Sequence, residues 1–220
     1  MDQTPKSTKS ELKLIVVGCS GTGKTSFVNK WTKDIFDDNY KATVVSEFSY
    51  KIFEYKNKYY KVQLWDIAGQ DQNICVTKIF SKDSHGCIVL SDIKDESTLD
   101  KGILWKNSVD DNVKFLDGDY LPSVLVQNKI DLVDDAEVNK FDEKVKEICE
   151  NNKFVNSFKT SAKMGIGIEE CMQFLIGNII DRMEKCNKDG KDPFEKNRQS
   201  IVLQKNKTRS DSVGGNGGCC

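Results

Sequence analysis

The chain has 220 residues, of which 33 are Lys or Arg and 34 Asp or Glu, for a formal net charge of -1. That length suits one compact domain with a tail, the 38% hydrophobic content is enough for a core, and the even charge balance disfavours a protein that coats nucleic acid. No run of about 18 apolar residues is present, so no membrane-spanning helix is expected, and the polar opening Met1–Ser10 lacks the apolar stretch of a secretory signal, which makes a cytosolic start the expectation.

Residues 1–10 read as a flexible lead, 11–186 as a folded domain and 187–220 as a flexible tail rich in Lys, Asn, Ser and Gly. Leu12–Val17 is a short apolar run of the kind found in buried parallel strands. A helix is expected from Lys24 to Lys33. Glu47–Tyr55 and Tyr59–Ile67 alternate in polarity and read as an antiparallel hairpin joined by Lys56-Asn57-Lys58. Cys87–Ser91 and Val124–Gln127 are two more buried strands, with a helix over Leu99–Leu116 between them. Phe141–Cys149 reads as a helix and Phe154–Thr160 as the last strand. In the final helix Ile168, Cys171, Met172, Leu175, Ile176, Ile179, Ile180 and Met183 form one apolar stripe at helical spacing, which is core packing. Strands alternating with helices imply an α/β fold, a mostly parallel sheet with helices on both faces, and ligands of such sheets sit at the carboxyl ends of the strands. Six cysteines, Cys19, Cys75, Cys87, Cys149, Cys171 and Cys186, are scattered singly and read as reduced thiols rather than a metal or disulfide framework.

Gly18-Cys-Ser20-Gly21-Thr22-Gly23-Lys24-Thr25 has the phosphate-loop spacing G-x-x-x-x-G-K-[ST], directly after an expected strand and opening an expected helix. Its glycines let the backbone wrap a phosphate and point N–H groups inward. The helix N-terminus, which includes Ser26, adds a field that favours anions. Lys24 can reach the terminal phosphates and the Thr25 hydroxyl can ligate Mg²⁺. Trp65-Asp66-Ile67-Ala68-Gly69-Gln70 closes the third strand. There Asp66 can hold Mg²⁺ through its water shell, Gly69 can offer its N–H to a γ-phosphate, and Gln70 can orient an attacking water. Asn128-Lys129-Ile130-Asp131 follows another buried strand. A carboxylate such as Asp131 accepts two hydrogen bonds from the N1–H and N2–H₂ edge of guanine, and adenine offers no such pair. Ser161-Ala162-Lys163 would complete a base pocket through backbone contacts.

These motifs, in this order, resemble those of the Ras superfamily of small GTPases over roughly Leu12–Cys186. The resemblance implies the P-loop G-domain fold with one antiparallel strand, and guanine nucleotide with Mg²⁺ as ligands. It places Phe36 where the family stacks an aromatic edge on guanine, Ser20 at a small polar position of the phosphate loop, and Tyr40 in the entry to the first switch. Thr43 then falls at the switch threonine that binds Mg²⁺ and the γ-phosphate in the GTP state. Tyr40-Lys-Ala-Thr43 and Lys61-Val-Gln-Leu-Trp65 are similar to the Rab family, and Phe48, Trp65 and Phe80 fall at its effector-reading aromatic triad. Ile67, in place of the common threonine, resembles the Rab branch of lysosome-related organelles, endosomes, phagosomes and autophagic membranes. Leu104-Trp105-Lys106 fits that branch loosely.

Two segments depart from the family pattern. Asp71-Gln72-Asn73 stands where Glu-Arg-Phe is usual, and Val45 replaces the glycine of the first switch. The terminal Cys219-Cys220 resembles the Rab double-geranylgeranylation site, and two prenyl chains give the stable anchoring that one does not.

Together these readings imply a GTP/GDP switch in vesicle or organelle traffic, with slow intrinsic hydrolysis of about 10⁻⁴ s⁻¹. The resemblance implies exchange factors, GTPase-activating proteins, an escort protein, a GDP-dissociation inhibitor and membrane-tethering effectors as partners. It also implies a place on the cytoplasmic face of intracellular membranes with a cytosolic pool. Two alternatives stay open: a GTP-binding scaffold that does not hydrolyse, and an ATP-using P-loop enzyme, against which Asn128–Asp131 argues.

Overall fold

The structure is a computed structural model that describes residues 10–39, 43, 46–69 and 77–187. The readings made for Tyr40, Val45, Gln70 to Asn73, Cys75, the tail and Cys219-Cys220 lie outside the described residues. Ten elements bear on the site: β1 (Ser10–Gly18), α1 (Lys24–Lys33), β2 (Glu47–Tyr55), β3 (Lys58–Asp66), α2 (Thr77–Phe80), β4 (Gly86–Asp92), α3 (Glu96–Asn112), β5 (Ser123–Asn128), β6 (Asn156–Lys159) and the last long helix (Ile168–Cys186). Two shorter helices, α4 (Asp135–Asn139) and α5 (Asp142–Asn151), precede β6, so the last helix is α6.

The six strands form one sheet in the order β2-β3-β1-β4-β5-β6, with β2 and β3 antiparallel and every other neighbouring pair parallel. The α/β class and the single antiparallel pair are as expected from the sequence. All six residues of β5 are buried, and Leu14, Val16, Ile88, Leu90, Val124 and Val126 are fully so. This continuous burial follows from helices packed on both faces of the parallel strands. The eight-residue stripe of α6 is buried throughout, from Ile168 to Met183.

Several boundaries differ from the sequence reading, the last strand being shorter at Asn156–Lys159, and those of the hairpin turn and α3 have a local reason. The hairpin turn is Lys56-Asn57 alone, both at positive φ (50° and 59°), and Lys58 already pairs with Tyr55 in the sheet. That is the backbone a two-residue turn needs to match the twist of its strands. Helix α3 begins earlier, at Glu96, because Asp95 caps it by accepting from the Ser97 N–H at 3.0 Å. It ends at Asn112, since Val113 is extended (φ -145°), and Leu116 is exposed. In α3, Trp105 and Lys106 are fully buried while Leu104 faces outward. The Lys106 ammonium is paired with Asp110 one turn on.

Candidate nucleotide site

The parallel strands end on one side of the sheet, and the loops that follow β1, β3, β5 and β6 surround a cleft there. The cleft has a volume of about 760 Å³, within the usual range for small-ligand sites, about 300–1,000 Å³.

The floor is the loop between β1 and α1. Gly18, Gly21 and Gly23 all have positive φ, and Gly23, at φ 90°, caps the start of α1. A side chain at Gly18 would put its Cβ 2.3 Å from the Leu90 carbonyl oxygen, so only glycine lets the loop leave the sheet here. Lys24 folds back under the loop and its ammonium donates to the carbonyls of Gly18 (2.9 Å) and Cys19 (2.8 Å). Burial draws its pKa down to about 8, against the opposing pull of the Asp66 carboxylate. A buried lysine with two of its three ammonium donors on carbonyls, beside the N-terminus of a ten-residue helix, is an arrangement that favours an anion.

Near Lys24, three side-chain oxygens meet. The Thr25 hydroxyl donates to Asp66 Oδ2 and lies 2.8 Å from the Thr43 hydroxyl. Asp66 Oδ1 is buried with no hydrogen-bond partner among the described residues. Burial pushes the Asp66 carboxyl up to about 6, despite the Thr25 hydrogen bond and the charge of Lys24. An unpaired carboxylate oxygen beside two hydroxyls fits a hard divalent cation, which takes oxygen ligands. Gly69 packs against the loop so closely that a Cβ there would lie 2.2 Å from Lys24 Nζ and 2.6 Å from the Gly18 oxygen.

At the other end, Asn128 is buried and ties three loops together. Its Nδ2 donates to the Thr22 carbonyl (2.9 Å), and its Oδ1 accepts from the Thr160 hydroxyl (3.0 Å) and the Ala162 N–H (3.1 Å). Lys129 holds a left-handed backbone, φ 70°, which turns the chain so that Asp131 faces the cleft. The Asp131 carboxylate accepts from the Ser161 hydroxyl, which itself accepts from the Met164 N–H at 3.0 Å. Phe36 and Lys163 stand at the mouth, the ammonium 6.0 Å from the ring centre, and Lys163 is paired with Asp38 at 3.2 Å.

Ser20, Gly21, Gly23, Lys24, Thr25, Ser26, Phe36, Thr43, Gly69, Asn128, Lys129, Asp131, Ala162 and Lys163 all line the cleft. Thr22 and Ser161 stand behind the wall: Thr22 is fully buried with its hydroxyl on the Cys19 carbonyl (3.0 Å), and Ser161 braces Asp131. Tyr40 and Gln70 lie outside the described residues. The sequence reading missed Asn29, Ile35, Asp37, Asp38, Asn39, Glu47 and Leu132, which also line the cleft. It also missed Thr160, whose hydroxyl on Asn128 joins residues 32 apart in the chain and leaves no local signal. Phe48, Trp65 and Phe80 lie together away from the cleft, with ring centres 5.6 and 6.1 Å apart. Tyr50 extends that row by stacking on Phe48 at 6.2 Å, and it follows from the two-residue period of β2.

A family model described as "Ras family" matches residues 13–181. The chain belongs to the Ras family. The mouse "Ras-related protein Rab-32" is 33% identical over 177 residues, covering 80% of this chain and 78% of that protein. The Dictyostelium discoideum "Ras-related protein Rab-32A" is 35% identical over 170 residues, 76% of this chain and 77% of its own. The human "Ras-related protein Rab-7L1" is 32% identical over 173 residues, with coverage of 76% and 82%. Membership of the Ras family implies guanine-nucleotide binding, and the cleft has the glycine-rich loop with Lys24 at one end and the Asp131 carboxylate at the other. Among the described residues, no helix is long and apolar enough to cross a membrane.

Proposed function

We propose that this Ras-family chain is a Rab-type GTP/GDP switch of membrane traffic that hydrolyses GTP to GDP. The observation that carries the reading is the shared cleft. One wall offers Lys24, Thr25, Thr43 and Gly69 to phosphates, and the other offers Asp131, braced by Ser161, to a base. Mg²⁺, held by Thr25, Thr43 and Asp66, would neutralise charge on the β- and γ-phosphates. The chain's own residues do the rest. The Gly69 N–H and Thr43 engage the γ-phosphate, so that both switch segments are ordered with GTP and released when the γ-phosphate leaves. Gln70 orients the attacking water. Asp131 accepts from the guanine edge, Phe36 and Lys163 close over the base at the mouth, and Ser161 and Ala162 hold the loop behind it.

On this reading residues 11–186 form the G domain, and residues 187–220 are a tail that reaches the membrane through prenylated Cys219 and Cys220. The aromatic row of Phe48, Trp65 and Phe80 would receive effectors, and exchange factors, GTPase-activating proteins, an escort protein and a GDP-dissociation inhibitor would set the cycle. The similarity to Rab proteins supports membrane association, and the resemblance carried by Ile67 would put it on endosomal, lysosome-related or phagosomal membranes.

Single-turnover hydrolysis of pre-loaded GTP tests the enzyme part of the reading. The parent is expected to turn GTP into GDP, faster with an activating protein, and Gln70→Leu is expected to stay in the GTP form. Undiminished turnover in Gln70→Leu would refute the role of Gln70, and no turnover in the parent would favour a GTP-binding scaffold.

A further inference from the structure

Asn128 and Lys129 leave β5 together and take different partners. Asn128 turns inward, whereas the Lys129 ammonium donates to Asp92 Oδ2 at 2.6 Å. Asp92 is the last residue of β4 and the register partner of Asn128. Its backbone and side chain are fixed by their own contacts. The Asp92 N–H donates to the Thr98 hydroxyl (2.8 Å), Oδ1 accepts from the Lys94 N–H (3.0 Å), and the Asp92 carbonyl accepts from the Asp95 N–H (3.0 Å). The Ile93 N–H donates to the Asn128 carbonyl at 3.0 Å, which joins this turn to the start of the Lys129 loop. The pair is shielded, with side chains 17% exposed for Asp92 and 30% for Lys129, so solvent screens it less than a surface ion pair.

The Lys129 stem lies beside the phosphate loop, since a Cβ on Gly23 would sit 4.0 Å from Lys129 Cε. Lysine carries four rotatable bonds and a point charge. With its head tied to Asp92, the stem lies along the cleft wall. With its head free, the chain would sweep the cleft and its charge would be drawn to bound phosphate.

We propose that Asp92 is a positioning residue of the guanine pocket: it anchors the Lys129 ammonium so that the lysine's methylene stem stands as a fixed wall beside the phosphate loop. This inference rests on the guanine-nucleotide reading above. Asp92 does not line the cleft, and nothing in the motif Asn128-Lys129-Ile130-Asp131 points to it, because it comes from a different strand.

The test is the release of GDP bearing a fluorescent N-methylanthraniloyl group, loaded with Mg²⁺ on the full chain and chased with unlabelled GDP. Asp92→Asn keeps the side-chain shape and the acceptor for the Lys94 N–H but removes the charge. Its release rate is expected to rise about tenfold, as for loss of one charge-assisted hydrogen bond. Lys129→Met keeps the stem and removes the head. Added to that background, Asp92→Asn is expected to change release by less than about twofold, because coupled residues do not add. A parental release rate in Asp92→Asn, or the full tenfold effect in the Lys129→Met background, would overturn the inference. Should Asp92→Asn fail to fold by far-UV circular dichroism, Asp92→Glu keeps the charge one methylene further out. Release within a few-fold of the parent then supports the anchor, and release as fast as in Lys129→Met overturns it. A parent that retains no labelled GDP would overturn the guanine reading, and this inference with it, before any variant is made.

Discussion

Asn128→Ala gives the sharpest test of how the cleft is assembled. The side chain is 1% exposed, and its three hydrogen bonds run to Thr22 in the loop between β1 and α1 and to Thr160 and Ala162 in the loop after β6. Removing it leaves a carbonyl, a hydroxyl and an N–H without partners, and Thr22 and Thr160 are themselves fully buried. Each net hydrogen bond is worth about 1 kcal/mol, so the expected loss is about 3 kcal/mol, and more if water does not reach the gap. That is a large part of the 5–15 kcal/mol or so that holds a typical domain together. The assay is urea unfolding of nucleotide-free protein followed by circular dichroism, so that ligand affinity does not enter. With an m value of about 2 kcal/mol/M, the midpoint should fall by about 1.5 M. Asn128→Asp should cost as much at neutral pH, because it turns the donor facing the Thr22 carbonyl into an acceptor. A loss below about 0.5 kcal/mol for Asn128→Ala, the scale of an ordinary surface change, would refute the view that this residue staples the loops.

Two further outcomes follow from the structure. Burial holds the His85 imidazole down at about 4, and the Lys13 N–H donates to its Nδ1 at 3.1 Å, which puts the neutral ring's own proton on Nε2, so that a second proton could enter only at Nδ1 by breaking this hydrogen bond. The unfolded chain therefore binds a proton below about pH 6.5 that the folded chain refuses until about pH 4. Stability should be full above that window and fall by about 3 kcal/mol as the pH drops through it. His85→Gln should flatten this slope in unfolding measured from pH 7 to 4, and an unchanged slope would refute the assignment. Gly69→Ala should push the segment after β3 off the phosphate loop, because its Cβ would meet backbone and the Lys24 ammonium at 2.2–2.6 Å. GTP affinity should then fall more than GDP affinity, and an equal loss for both would count against the γ-phosphate role of Gly69.

Much of this architecture is legible in the chain because its signals are local. The period of α6, the continuous apolar runs of β1, β4 and β5, and the glycine spacing of the phosphate loop each report on their own backbone. The single antiparallel pair followed from the alternation of β2 and β3. What stayed hidden is non-local or depends on capping. Asp95 starts α3 three residues before the apolar pattern does. The short helices α2 and α4 carry too few residues to show a period. In the site, the motif residues were readable but their supports were not. Thr160 behind Asn128, Ser161 as a brace for Asp131 rather than a wall of the cleft, and Asp92 beneath Lys129 all act across strands that only the folded sheet brings together.

The central claim is a guanine-nucleotide pocket between the phosphate loop and Asp131. The nucleotide content of the purified chain, released by denaturation and identified chromatographically, tests it most directly. The account predicts about one GDP or GTP per chain, as expected of a tight small-GTPase site. A chain that carries none, and takes up no added guanine nucleotide with Mg²⁺, would contradict it.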